Sequence, residues 1–455
     1  DGNPMAQLMK PGLRLGLAIV FLWTIASCYT APIASSGEMA ILAHQNQLDF
    51  RADGLQQLNG SEGTQSLTAE EAVELALKSD SGLRVRRAFL SRAKSRVSAA
   101  GELRNPEIRY SQEKLEDFMG DETRLDIEFR LRPPRPGELG AREEIARSEV
   151  RSAKARLDMA QERVAYKVRS LFREIGFLGI ELGAVRNSIE IRERLVELTK
   201  TRVKEGLATK MDLALVEVTH YESLQDRQEL ESELENLRRE LSHRVGLPTG
   251  TKLQLKGTET NKVNLASLPS VEDLVRRALN SREELEVAAS RIRAADAELF
   301  IEKLEWVPWI SHIRVGYEME PASAKRNAMT AGIAFELPLL SLNLGDIEAA
   351  EAETVLRQTE FDRQVQDIAS SVREQYRRVK TAAQKAQTLE QGAKLAVDRG
   401  AVAARMAMEA GQVDIRGLTL VEERRASVHR KWLRALRSYN QELTKLMDAV
   451  GGDLH

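Results

Sequence analysis

The sequence predicts a mainly α protein with a small β part, internally duplicated: long coiled-coil hairpins joined to four short strands per chain. Three observations predict it. Apolar residues keep heptad spacing over two stretches of roughly sixty residues. Landmark motifs recur about two hundred residues apart. Four segments alternate between apolar and polar side chains, strictly over 124–131 and most weakly over 105–114.

Composition sets the limits. Lys+Arg 67 against Asp+Glu 69 leaves a net charge of -2, so bulk electrostatics give no footprint for nucleic acid. A mean hydropathy of -0.37, with 28 Gly and 12 Pro, excludes a polytopic helical membrane protein, collagen and a Pro-rich disordered chain. One cysteine excludes a disulfide framework and any multi-thiolate metal or iron–sulfur site.

That cysteine closes an export signal. Lys10 and Arg14 precede an apolar run over 15–26, and polar sequence follows at once. The run is shorter than the roughly 20 apolar residues that span a bilayer and has the layout of a secretory signal peptide. The chain opens on Asp1, and Met5 or Met9 is the expected start of translation. Ile25-Ala26-Ser27-Cys28 resembles a bacterial lipobox, in which the Cys is lipidated and becomes the first mature residue. The competing reading is an unlipidated signal cut near Ala34, with Cys28 discarded. Either way the mature protein is exported.

The body is written twice. Glu70 and Glu272 stand 202 apart within Thr68-Ala69-Glu70-Glu71-Ala72-Val73 and Val271-Glu272-Asp273-Leu274-Val275. Pro106 and Pro308 repeat the same offset. Phe129-Arg130-Leu131 recurs as Phe335-Glu336-Leu337, and Lys204-Glu205-Gly206-Leu207 as Glu409-Ala410-Gly411-Gln412. Within each unit one long helix is expected, over 140–205 and 346–410. In the first, Val150, Ala153, Leu157, Ala160, Val164, Val168, Leu171, Ile175, Leu178, Leu182, Val185 and Ile189 form a heptad seam with a stutter at Val168. Such a helix is about 100 Å long at 1.5 Å per residue. Gly206 and Gly411 turn the chain into return helices ending near 245 and 450. Further single helices are expected at 68–102 and 270–305, so that each long helix has a two-piece partner with its break at mid-rod.

The strands lie between the helices. Leu125, Ile127, Phe129 and Leu131 alternate with charges; Ile313, Val315, Tyr317 and Met319 alternate with His312, Arg314, Gly316 and Glu318. Ala331, Ile333, Phe335 and Leu337 follow the same rule, and 105–114 follows it more weakly. Polar loops at 116–121 and 321–326 connect them. Strands of about 9–11 residues with one apolar face fit a transmembrane β-barrel; the bland alternative is a half-buried sheet in a soluble domain. The export signal and the position of the hairpins between long helices favour the barrel.

Taken in order, these features resemble the TolC-like outer membrane efflux protein family of Gram-negative bacteria, over about 67–450. Phe335-Glu336-Leu337-Pro338-Leu339 with Asn343-Leu344-Gly345-Asp346-Ile347 resembles its second strand-to-helix junction. Phe129-Arg130-Leu131-Arg132-Pro133-Pro134 with Gly137-Glu138-Leu139-Gly140-Ala141-Arg142 resembles the first. The junction wording is closest to the heavy-metal (CzcC/CusC-like) branch. The resemblance divides the chain into a signal peptide (1–27), an N-terminal equatorial linker (28–66) and two efflux repeats. The first repeat is 67–268, with strands at about 105–132 and a hairpin at about 140–245; the second is 269–455, with strands at about 308–338 and a hairpin at about 346–450.

The resemblance implies a homotrimer whose twelve strands close one barrel in the outer membrane, above a long α-helical barrel crossing the periplasm. Arg124, Asp126, Glu128, Arg130, Arg314 and Glu318 would face the lumen, and the apolar faces would meet lipid. Gly206, Leu207 and Thr209, with Asp212, match the family's tip pattern; Gly411, Gln412 and Asp414 match more loosely, Asp414 standing where a small hydroxyl residue is usual. These tips would meet a periplasmic adaptor (membrane fusion protein), itself joined to an inner-membrane pump of the resistance–nodulation–division type. Lipid anchoring would be at Cys28.

Catalytic signatures are absent. There is no phosphate-binding Gly-x-x-x-x-Gly-Lys loop, and His44, His220, His243, His312, His429 and His455 have no metal-ligand spacing. Met406 and Met408 are expected to fill core, and Gly176, Gly179 and Gly183 to permit close helix approach. The expected function is a passive, cofactor-free duct carrying metal cations, not an enzyme, opened by an iris-like shift when the adaptor docks. Multidrug efflux or type I secretion are alternatives. A periplasmic adaptor or a coiled-coil tether, from other classes, fits the duplicated hairpins or the strands less well.

Overall fold

The computed structural model describes residues 65–117, 120–247, 253–256, 268–319, 327–339 and 342–452. The signal peptide, Cys28, nearly all of the equatorial linker and the 321–326 loop lie outside the described residues.

The first unit contains β1 (Gln65–Leu67), α1 (Ala69–Ser79), α2 (Ser81–Ala100), β2 (Glu107–Asp117), β3 (Gly120–Leu131), α3 (Glu138–Lys204) and α4 (Lys210–Val245). β4 (Leu253–Leu255) follows α4 at the end of the first unit, and the second contains α5 (Val271–Ser281), α6 (Glu283–Glu305), β5 (Trp309–Met319), β6 (Ala328–Glu336), α7 (Leu344–Thr388), a π-helical turn (Leu389–Lys394), α8 (Leu395–Glu409) and α9 (Ile415–Val450). Helices dominate, with a small sheet at one end and a two-stranded β1–β4 pair near the middle.

α3 runs 67 residues without a break. No proline interrupts it, and i,i+4 pairs such as Arg147–Glu143 (2.6 Å) support its surface. Its seam is buried from Val168 through Val185 and packs on α1 and α4. The second unit builds a matching core from α5, α7 and α9. Equivalent positions are equally buried: Ala72, Val73 and Ala76 in α1 correspond to Leu274, Val275 and Ala278 in α5.

Three expectations about the helices are corrected. The stretches 68–102 and 270–305 are each two helices, broken at Asp80 and Arg282, where the backbone becomes extended. Each break rests on the end of a return helix. Ser79 donates to the Arg244 carbonyl (3.3 Å) and Ser281 to the Val450 carbonyl (2.8 Å). The return helices end there on left-handed Gly246 (φ +79) and Gly451 (φ +82), where a Cβ would lie 2.6 Å from Ser79 Cβ and 2.9 Å from Ser281 Oγ. The break turns the short buried helix into the core while the longer one follows the rod.

The second long helix is not continuous α. Its Leu389–Lys394 turn is π, and Lys394 Nζ lies 3.8 Å from the ring centre of Trp432 in α9. The third correction concerns small residues. At Gly179 and Gly183 an added Cβ would meet nothing within 4 Å, so neither makes room for a neighbour among the described residues. Of the two methionines, Met408 is buried but Met406 is 64% exposed.

Between the sheet and mid-rod the helices lie side by side in the order α2, α3, α6, α7. Towards the far end the order is α4, α3, α9, α8. No helix among the described residues is long and apolar enough to cross a membrane.

Candidate functional site

The four long strands form one antiparallel sheet in the order β2-β3-β5-β6. Its register turns sequence alternation into two unlike faces. Ile108 pairs with Phe129, Phe129 with Val315 and Val315 with Ala331. One step along, Tyr110, Ile127, Tyr317 and Met329 form a second apolar row. This face is bare: Ile108 is 76% exposed and Met329 79%. A soluble protein rarely leaves so continuous an apolar surface open.

The opposite face carries the charges. Arg124 Nε lies 2.6 Å from Glu318 Oε1. Glu128 accepts from Arg130 at 3.0 Å and has Arg314 at 3.9 Å. Asp126 stands opposite Ser111 on one side and Glu318 on the other. All six charged residues singled out from the sequence therefore share one face. Arg132 with Glu107 (3.3 Å), at its border, was not singled out, because β2 alternates weakly. Gly332 matters here: a Cβ on it would sit 2.7 Å from Arg314 Nε, so its bare backbone lets the guanidinium lie across β6.

Each strand-to-helix junction is pinned to α6. Arg135 donates to the Leu304 carbonyl, and Trp309 Nε1 to the Pro133 carbonyl at 3.2 Å. α3 begins at left-handed Gly137, packed on Phe300; α7 begins at left-handed Asn343, whose amide donates to the Glu302 carboxylate at 2.9 Å.

The two helical tips are near copies. Leu207 N–H donates to the Arg202 carbonyl and Gln412 N–H to the Ala407 carbonyl, both at 2.8 Å, around left-handed Gly206 and Gly411. Thr209 caps α4 in a capping box with Asp212, while Asp414 caps α9 by accepting from Gly417 N–H at 2.8 Å. Asp414 thus does the capping that Thr209 does, which explains the departure from the usual hydroxyl. Leu207 projects into solvent.

Sequence reading missed what joins the tips. Asp212 accepts from Arg416 at 2.8 Å. Hydrogen bonds from Thr209, by side chain and then backbone, and then Arg416 hold its carboxyl down at about 2. Further along, Arg430 meets Asp226 at 2.5 Å and Arg437 meets Glu233 at 2.9 Å. All three pairs span 204 residues. The signal was present as acids at 212, 226 and 233 and arginines at 416, 430 and 437, but their pairing depends on the packing of α4 beside α9. Among the described residues no group of three His, Cys, Asp or Glu is placed to hold a metal.

Residues 274–452 match the family model described as outer membrane efflux protein. No curated protein sequence matches the chain. Among solved structures the fold resembles the outer-membrane channel OprN, with TM-score 0.70 and 16% identity over 85% of this chain and 90% of that one. It resembles CusC, a transmembrane channel, with TM-score 0.69 and 13% identity over 85% and 92%. It also resembles the outer membrane protein VceC of Vibrio cholerae, with TM-score 0.68 and 17% identity over 85% and 97%. The mainly helical chain with its four-stranded sheet thus has the fold of outer-membrane channels.

Proposed function

We propose that this chain is the outer-membrane channel of a tripartite efflux system, working as a homotrimer and passing substrates from the periplasm to the exterior. The observation that carries this reading is the sheet. One face is apolar and exposed, the other is ion-paired, and the edge strands β2 and β6 have no outer partner among the described residues. In hydrocarbon such edges are tolerated only when closed, so several copies must complete one barrel. Its charged face would line a wet lumen and its apolar face would meet lipid. The chain is a conduit, not an enzyme.

The long helices continue that lumen into the periplasm, and the exposed tips, with Leu207 and Gln412 foremost, offer the adaptor its contact. Adaptor docking would bias the tips outward as a population shift, with energy from an inner-membrane pump of the resistance–nodulation–division type. We assign metal cations as cargo on the junction wording alone; multidrug efflux is the second reading. At the N-terminus, Ile25-Ala26-Ser27-Cys28 supports export and a lipid anchor.

The test is fractionation followed by conductance. The protein should require detergent for extraction from an outer-membrane fraction and should open ohmic channels in planar bilayers. Recovery of full-length protein as a soluble periplasmic monomer would overturn the reading. A strain lacking the gene should become sensitive to divalent metals; sensitivity only to organic toxins would favour the second cargo.

A further inference from the structure

A cavity of about 200 Å³ lies between α3 of the first hairpin and α9 of the second, roughly four helical turns from the tips. Ser223 of α4 also lines it, and the exposed Asn187 stands at its rim. Its walls have two characters. Arg192, Arg425, Arg430 and His429 bring nitrogen donors, whereas Ala184, Val185, Ile191 and Ala426 are apolar.

The charges around it do not balance. Glu422, the one acid lining the space, is taken by Arg405 of α8 at 2.5 Å. Asp398 accepts from Arg425 at 2.8 Å and lies 2.9 Å from His429 Nε2. Asp226 is held by Arg430. Three carboxylates thus serve Arg405, Arg425 and Arg430, and Arg192 is left over.

Arg192 is also deeply placed, only 6% exposed. Its Nη1 donates to the Thr219 carbonyl at 2.7 Å, and among the described residues no carboxylate bonds it. Burial, and after it the neighbouring Arg430, pull its pKa below the usual arginine value, while Glu423, Asp226 and Glu222 compensate only through space. A buried cation without its anion is costly, and the packing of the repeat does not demand this one. The equivalent place in the second hairpin, counted back from the tip glycines Gly206 and Gly411, is held by Val397.

We propose that this cavity binds a small carboxylate with a short hydrocarbon body, its carboxylate on Arg192 and its body against Val185 and Ile191. The guanidinium fork matches a carboxylate, and the charge-assisted pair relieves the uncompensated cation. Liquid water takes about 30 Å³ per molecule, so the space suits an anion of a few heavy atoms. The apolar wall favours a hydrocarbon body over a bare inorganic ion. Such a ligand sits between Arg192 of the first hairpin and Arg425 and Arg430 of the second. It is therefore a removable cross-tie, and its departure frees one hairpin to move against the other. Binding does not depend on the channel reading above; only the effect on opening rests on it.

The experiment is isothermal titration of the full-length protein in detergent with sodium butyrate. Sodium acetate and sodium phosphate run alongside, with chloride matching the ionic strength. Butyrate should bind saturably and more tightly than acetate or phosphate. Arg192→Gln keeps a donor for the Thr219 carbonyl but loses the charge, and should weaken butyrate roughly tenfold or more. Arg192→Lys keeps the charge and should weaken it less; circular dichroism shows that both variants remain helical. Hydrogen exchange of the wild type needs no variant: butyrate should slow exchange over 184–192 and 422–430 and leave the strands unchanged. No saturable binding, unchanged affinity in Arg192→Gln, phosphate binding as tightly as butyrate, or protection confined to other segments overturns the site and leaves the channel reading standing. In planar bilayers butyrate should lengthen the closed times of the wild type and not those of Arg192→Gln. A chain that forms no channel at all overturns the channel reading, while the titration still decides the site.

Discussion

Arg437 in α9 reaches Glu174 of α3 at 2.6 Å and Glu233 of α4 at 2.9 Å, so one guanidinium of the second repeat clamps both helices of the first hairpin. Burial opposes its charge, yet the two carboxylates hold the guanidinium firmly protonated. Arg437→Ala leaves two acids facing each other across a half-buried seam. The loss should be about 1–2 kcal/mol, larger than for an exposed pair. Thermal unfolding in detergent of Arg437→Ala beside Arg194→Ala, an exposed i,i+4 pair, checks it.

Asp212 predicts an acid limit for the tips. Its carboxyl is depressed from 3.8 to about 2, so the folded state binds that proton less readily than the unfolded chain. The stabilisation is present above the ordinary value and is lost as pH falls through about 2. Tip protection in hydrogen exchange, corrected for intrinsic rates, should therefore hold to about pH 4 and fail below it. Because Thr209 contributes more than Arg416, Thr209→Val should move that window upward further than Arg416→Gln. The reverse ranking would show that the ion pair, not the cap, governs Asp212.

Gly246 and Gly451 are equivalent helix ends, and alanine at either must accept a left-handed backbone and a crowded serine. Each substitution should cost about 1–2 kcal/mol from the backbone alone. Ser79 Cβ is the closer obstacle, at 2.6 Å, so Gly246→Ala should be the worse of the two. Chemical denaturation of both variants compares them directly.

Gly332→Val should push the Arg314 side chain off β6, since its Nε stands 2.7 Å from the new Cβ. Arg314 would then project into the lumen. Single-channel conductance should fall while the amount of folded protein is preserved. Equal conductance with intact Arg314 contacts would remove the lumen assignment of that face.

Cys28→Ser should abolish incorporation of labelled palmitate and lower the mature mass by that of the acyl groups. Unchanged mass and fractionation would instead support a cut near Ala34.

Much of this architecture was legible in the chain because it rests on local periodicity. The seam from Leu157 to Val185, the tip glycines and the strand faces each follow from spacing alone. What escaped was set by contacts distant in sequence. The breaks at Asp80 and Arg282 lack a proline and are fixed by the return-helix ends lying against Ser79 and Ser281. The π turn around Gly392 has no compositional mark. The arginine ladder of α9 finds its carboxylates only once the two hairpins are side by side.

The bare edges of β2 and β6 also bear on biogenesis. On the channel reading, a single copy offers among its described residues no partner for their N–H and C=O groups in hydrocarbon, where each unpaired group costs several kcal/mol. Insertion one copy at a time is therefore the least favourable route, and the copies must meet before or during entry into the bilayer. Maturation of the channel should then depend steeply on how many newly exported chains share the periplasm, and a surplus of one defective copy should poison the rest.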